Sequence, residues 1–221
     1  MLVLGVETST PAASVCLATE QGVVASTSLG SGLPHLQRAH GRFVTEAIRW
    51  CLQSAELVPD DVKGVAVSLG PGLFTGMRVG IATAQAFAHA RQLPVVGLAS
   101  LDLLAFPHRH ARGVICSVID AKRGELFWAL YRCAPGGVQR VAEFRTGRPE
   151  TLAGELEAIG EDVLCVGDGA IAHAGLLASV GAEIGGVGSA HPTAQALVEL
   201  ALPRFLREET RRPEELTPTY I

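Results

Sequence analysis

The sequence is short of charge and has no long apolar run, and both shortages narrow what it encodes. No stretch reaches the roughly 18 consecutive uncharged apolar residues that a membrane-crossing helix needs. The residues after Met1 lack the basic region of a signal peptide, so a cytoplasmic protein is expected. The five cysteines, Cys16, Cys51, Cys116, Cys133 and Cys165, form no Cys-x-x-Cys pair. All five sit in apolar runs, and an odd number suits reduced, buried thiols. With 18 Lys and Arg against 22 Asp and Glu, the formal charge of −4 argues against an independent grip on nucleic acid, which needs a basic face to displace counterions.

What is present is apolar: 48% of the 221 residues are hydrophobic and 18% charged, enough for a sizeable core in one or two compact domains. The mean hydropathy of +0.31 is high for a soluble chain and hints at apolar surface hidden by a partner.

The chain is organised around residues 65–80, VAVSLGPGLFTGMRVG. Residues 65–69 read as a strand buried on both faces, Gly70-Pro71-Gly72 ends it, and a helix follows to residue 90 with Thr75 as its cap. Arg78 is the one charge on residues 77–90, so that helix is expected to be buried almost all round. A glycine turn between strand and helix invites a phosphate reading. The spacing opposes it: Met77 and Arg78 stand where a Walker loop has its Lys and hydroxyl residue, and three residues rather than two separate Gly72 from Gly76.

Around this centre the elements repeat. Strands at 2–6, 14–18 and 23–28, a helix at 36–56, the strand and buried helix just described and a strand at 94–98 form the first set. Strands at 113–119, 125–132 and 137–144, a helix at 149–159, a strand at 162–166, a helix at 170–180, a strand at 183–187 and a last helix at 191–209 form the second. Val67-Ser68-Leu69-Gly70-Pro71-Gly72 matches Leu164-Cys165-Val166-Gly167-Asp168-Gly169, and each set's first strand ends in a carboxylate, Glu7 and Asp120. Two copies of a β-β-β-α-β-α unit predict an α/β protein of two similar lobes with a cleft between them. The expected boundaries are 1–103 plus 191–221 for the first lobe and 104–190 for the second.

The duplication is the plan of the actin, sugar-kinase and heat-shock ATPase fold, and four motifs narrow it: Gly-Val-Glu-Thr-Ser-Thr at 5–10, Gly-Pro-Gly-Leu-Phe-Thr-Gly-Met-Arg-Val-Gly at 70–80, Leu-Ala-Ser-Leu at 98–101 and Asp-Ala-Lys-Arg-Gly-Glu at 120–125. Together, and nearly end to end, they resemble the TsaB (YeaZ) family. The resemblance implies a non-catalytic partner of TsaD, the subunit that transfers a threonylcarbamoyl group onto the adenosine next to the anticodon in tRNA, with the ATPase TsaE docking on the pair. Glu7 stands where that family usually has Asp, and Leu73 where Ser is common. Both departures weaken the case for bound metal or phosphate.

In a working ATPase of this fold, Glu7 and Asp120 would hold Mg²⁺ beside two glycine hairpins. Here neither hairpin, 8–12 or 121–124, offers two glycines, and Lys122-Arg123 crowds the second. Turn capping or interdomain hydrogen bonding is the role expected for the two carboxylates, near Gly167 and Gly169, in a degenerate nucleotide cleft with no cofactor. A small-molecule kinase or ATPase using that cleft is the first alternative, and a metallopeptidase the second. His35, His40, His89, His108, His110, His173 and His191 provide no pair at zinc-protease spacing. Ser9 and Ser68 have no histidine and acid partners evident in the sequence. No catalytic residues and no metal are therefore expected.

The partner surface is placed on the two first-lobe helices. Gly76, Gly80, Ala84 and Ala88 recur every four residues as a smooth ridge, and the apolar face of the helix at 36–56 is wider than one core contact requires. The interface expected from them comprises Leu36, Ala39, His40, Phe43, Val44, Ala47, Thr75, Gly76, Val79, Gly80, Thr83, Ala84 and Phe87. It would form a four-helix contact with TsaD, or a two-fold homodimer in its absence, and tRNA would be met only through the complex.

Overall fold

The computed structural model describes residues 1–33 and 39–221. These form two compact units, one of Met1–Ser100 with Thr193–Tyr220, the other of Leu101–Pro192.

The first unit is a five-stranded sheet. β1 (Val3–Glu7), β2 (Ala13–Thr19) and β3 (Gly22–Leu29) form an antiparallel meander, and β4 (Gly64–Ser68) and β5 (Val95–Leu98) add on in parallel, giving the order β3-β2-β1-β4-β5. Every residue of β1 and β4 is buried, as a strand covered on both faces requires. Alternation sends Leu4 and Val6 into a core with Val44 and Ile48 of α1 (His40–Ser54) and Ile81 and Ala84 of α2 (Phe74–His89). Gly5 points the other way, where a Cβ would lie 3.0 Å from the Ala194 carbonyl oxygen of α7 (Ala194–Leu206). The Thr193 hydroxyl caps α7 by accepting from the Ala196 N–H, and the Ala194 N–H donates to Ser14 Oγ on β2.

The second unit repeats this topology. β6 (Val114–Lys122), β7 (Glu125–Ala134) and β8 (Gly137–Arg140) are antiparallel, and β10 (Val163–Val166) and β11 (Glu183–Ile184) add on in parallel, in the order β11-β10-β6-β7-β8, with β9 (Arg145–Gly147) pairing β7. Strand for strand, β8-β7-β6-β10-β11 matches β3-β2-β1-β4-β5. One face packs on α4 (Pro149–Ile159) through Leu152 and Leu156, the other on α3 (Ser100–Ala105) through Leu101 and Leu104.

Several expectations need correction. The helix at 170–180 is two short helices, α5 (Asp168–Ala172) and α6 (Ala174–Ser179), broken at His173. The last helix is shorter at both ends, the strand at 137–144 stops at Arg140, and α1 is described from His40. Thr75 does not cap α2: the helix opens at Phe74, and no side chain caps it. Nor is α2 buried all round, since Phe74, Thr75, Arg78, Ala82, Ala86 and His89 are exposed. Cys133 is exposed, its thiol donating to the Ala111 carbonyl, whereas burial pushes the Cys16 and Cys51 thiols up to about 12 and about 11. Among the described residues no helix is long and apolar enough to cross a membrane.

Candidate functional site

The glycine turn between β4 and α2 lies directly on the β1–β2 hairpin, backbone against backbone. A Cβ on Gly72 would lie 2.0 Å from the Ser9 carbonyl oxygen, and one on Gly76 2.2 Å from the Thr8 carbonyl oxygen. Hydrogen bonds close the contact: the Leu73 N–H donates to the Ser9 carbonyl (2.7 Å), and the Thr8 hydroxyl to the Gly76 carbonyl (2.8 Å). Ser100, from the Leu-Ala-Ser-Leu motif, holds the turn from behind, its N–H donating to the Gly70 carbonyl (2.9 Å) and its hydroxyl to the Pro71 carbonyl. The glycines thus admit this chain's own hairpin, and the space a phosphate would need against them is filled.

Glu7 sits under that contact, fully buried. Its Oε1 accepts from the Ser9 N–H and the Ser9 hydroxyl, both at 2.6 Å, so the carboxylate caps the hairpin turn. Its Oε2, and Ser68 Oγ at the end of β4, are buried with no hydrogen-bond partner among the described residues. Burial raises the Glu7 carboxyl above its ordinary range, and the Ser9 hydrogen bonds, with the Ser68 hydroxyl close by but not in hydrogen-bonding geometry, offset only part of that.

The second unit's counterpart is built alike. Gly167, at φ +113°, has the Val118 carbonyl oxygen 2.0 Å from where a Cβ would be, and a Cβ on Gly169 would meet Leu126 and Val118 at 2.9 Å. Asp168, raised by burial, accepts from the Asp120 N–H (3.0 Å). Asp120 in turn accepts from the Lys122 N–H and ammonium, both at 2.7 Å. The hairpin tip turns through three successive left-handed residues, Lys122, Arg123 and Gly124, and the two basic side chains are exposed. Both carboxylates are occupied in holding turns. Among the described residues no three His, Cys, Asp or Glu side chains group to hold a metal ion.

Comparison with known proteins agrees with the topology. The sequence profile of TsaD, described as tRNA N6-adenosine threonylcarbamoyltransferase, matches residues 33–213. Two curated proteins named tRNA threonylcarbamoyladenosine biosynthesis protein TsaB align over all of this chain and 94% of their own length, that of Bacillus subtilis at 28% identity and that of Escherichia coli at 27%. A solved structure described as YeaZ from Pseudomonas aeruginosa superposes with a TM-score of 0.81 at 26% identity, covering 100% of this chain and 99% of that one. The chain belongs to the TsaB (YeaZ) family. Its fold is the duplicated α/β plan of the actin-like ATPases.

In this TsaB-family chain the expected interface residues divide sharply. The ridge of Gly76, Gly80, Ala84 and Ala88 is buried: Gly76 and Gly80 face Thr8, with a Cβ on Gly80 2.2 Å from Thr8 Oγ1, while Ala84 and Ala88 enter the core. Another backbone does approach the ridge, and it is the chain's own. His40, its Nε2 3.1 Å from the Pro11 carbonyl oxygen, and Val44 and Ala47 are buried too. None of these seven can meet a partner, and Gly80→Leu would disturb the fold before any assembly. Leu36 lies outside the described residues. Ala39, Phe43, Val79, Thr83 and Phe87 are half-buried, with the Thr83 hydroxyl bound to the Val79 carbonyl and Arg91 stacked 4.5 Å over Phe87. Thr75 alone of the described members of that set is exposed, and Ala82 and Ala86 continue its stripe. Sequence reasoning missed Ala82, Ala86, Phe74 and half-exposed Trp50. For Ala82 and Ala86 the signal was a helical phase on the side of α2 opposite the glycine ridge at 100° per residue, whereas Trp50 lies on α1 and Phe74 at the first turn of α2.

Proposed function

We propose that this chain is the scaffolding subunit, without catalytic residues of its own, of the assembly that makes N6-threonylcarbamoyladenosine in tRNA. It binds TsaD, and TsaE docks on the pair. The observation that carries this reading is the outer face of α2: Thr75, Ala82 and Ala86 form an exposed stripe of small side chains flanked by Val79 and Thr83, on a helix clamped by its inner face. A rigid helix with a smooth outer face suits close packing against another helix, with α1 beside it supplying Phe43. The names of the full-length relatives support the pathway. A net charge of −4 favours tRNA contact through the complex rather than by this chain alone. Without TsaD the same stripe closes a two-fold homodimer, in the cytoplasm.

Ala82→Arg tests the surface. The new side chain points to solvent in the monomer, so circular dichroism should match the parent. In the assembled contact it would be a buried, unpaired charge costing about 3–5 kcal/mol, or a hundredfold and more in affinity. Size-exclusion chromatography with light scattering is expected to show the parent as a homodimer alone and a heterodimer with TsaD, and the variant as a monomer in both. A variant that still forms both species excludes this face.

A further inference from the structure

Three side chains at the mouth of the glycine turn form a cluster that neither the core nor the clamp explains. Phe74, the first residue of α2, is 52% exposed, and Tyr220, 146 positions later, is 58% exposed. Their ring centroids are 6.0 Å apart and the planes tilted by 31°, and the Arg78 guanidinium lies 3.9 Å over the Phe74 ring. No carboxylate among the described residues pairs with Arg78.

The position of Tyr220 is built. Residues 211–219 run along the flank of α2 from its last turn to its first. Arg211 and Val95 exchange backbone hydrogen bonds (2.8 and 3.0 Å), which attaches the segment to the edge of β5. Glu214 bonds His89, and Gln85 Nε2 donates to the Pro213 and Leu216 carbonyls. Leu216 is buried in the core with Leu69 and Val67, and the Thr219 N–H donates to the Leu69 carbonyl (2.8 Å). With its neighbour fixed to the glycine turn, Tyr220 has a defined place beside Phe74.

Two rings held in place yet more than half in water contribute little to folding, whereas Tyr and Arg in such a setting are the side chains that most often carry the energy of a protein contact. We propose that Phe74, Arg78 and Tyr220 are the anchor of the partner face, accepting a partner helix that carries an apolar side chain and, three or four residues away, a carboxylate. The apolar group packs against the two rings. The carboxylate takes the edge of a guanidinium whose flat face is already covered, a geometry in which Arg pairs with little further ordering. The occupant is the protein partner proposed above, so the inference rests on that reading. The support for it is continuity: Arg78 is exposed one turn from Thr75 and Ala82 on the same helix.

Calorimetric titration of the full chain with TsaD separates the two. Tyr220→Ala, Phe74→Ala and Arg78→Ala remove exposed atoms and are expected to keep the parent's thermal midpoint while weakening binding at least tenfold each. The Arg78→Ala loss should shrink as salt rises. If all three bind within twofold of the parent while Ala82→Arg abolishes binding, the anchor is wrong and the helix-face reading stands. If Ala82→Arg binds like the parent, both fall. If Arg78→Ala keeps TsaD affinity but the complex loses tRNA, the cluster reads nucleic acid and the proposal is overturned.

Discussion

Replacing Gly76 with alanine should destabilise this protein by about 3 kcal/mol, against the usual sign of a glycine-to-alanine change inside a helix. On a free helical face the substitution gains about 1 kcal/mol, because alanine loses less backbone entropy. Here the added methyl falls 2.2 Å from the Thr8 carbonyl oxygen, and a backbone oxygen cannot rotate aside as a side-chain tip can. Thr8 is further held by its hydroxyl's bond to the Gly76 carbonyl. The clash must move either α2 or the β1–β2 hairpin, both anchored in one core. For a chain of this size the cost corresponds to a fall of roughly 6–12 °C in thermal midpoint. Gly154 in α4 is the internal control: it is exposed with nothing within 4 Å of its Cβ position, so Gly154→Ala should raise stability by about 1 kcal/mol. Urea denaturation of the two variants should give opposite signs. A Gly76→Ala protein as stable as the parent means that the glycine turn and the hairpin are not in contact.

Replacing Glu7 with glutamine should stabilise the protein at pH 8 and leave it nearly unchanged near pH 4.5. Burial raises the carboxyl above its ordinary value of 4.5, so the folded chain holds a proton that the unfolded chain releases. The stability this confers is complete below the unfolded value and is lost as pH rises through the folded one. Ionisation would place a charge among Ser9, Ser68 and uncharged backbone, with Oε2 unpaired. An unsatisfied buried polar group costs about 1–3 kcal/mol, and more when charged. Glutamine keeps the shape and the acceptor toward Ser9 without the charge, so its stability should vary less across this window. Parallel curves for parent and variant from pH 4.5 to 8 mean that Glu7 titrates alike in the folded and unfolded chains.

Much of the fold is legible because its signals are local. Strands such as β1 and β4 read as uninterrupted apolar runs, and the carboxylates and glycines that follow them recur at matching places in both halves. The helix boundaries were less legible. Residues 170–180 read as one helical stretch, and the break at His173, where the backbone leaves helical geometry at φ −115° and ψ 26°, has no glycine or proline at that position to announce it. The site was half legible for a related reason. The four-residue spacing of Gly76, Gly80, Ala84 and Ala88 announces that something approaches closely, and spacing alone does not distinguish a partner's helix from the chain's own hairpin. Only the contact with Thr8 decides it. Tyr220 was invisible in the same way, since its neighbour Phe74 is 146 residues distant and is reached through a segment pinned by backbone hydrogen bonds.

On the function proposed above, this chain acts through the outer face of α2 and not through the carboxylates at the strand ends. Threonylcarbamoyladenosine formation in tRNA, reconstituted with TsaD and TsaE, tests it with two variants of this chain. Asp120→Asn keeps the turn-capping shape without the charge, and it is expected to support modification at close to the parent's rate. Ala82→Arg, folded and monomeric, is expected to support almost none. Loss of modification with Asp120→Asn alongside normal modification with Ala82→Arg would contradict the account.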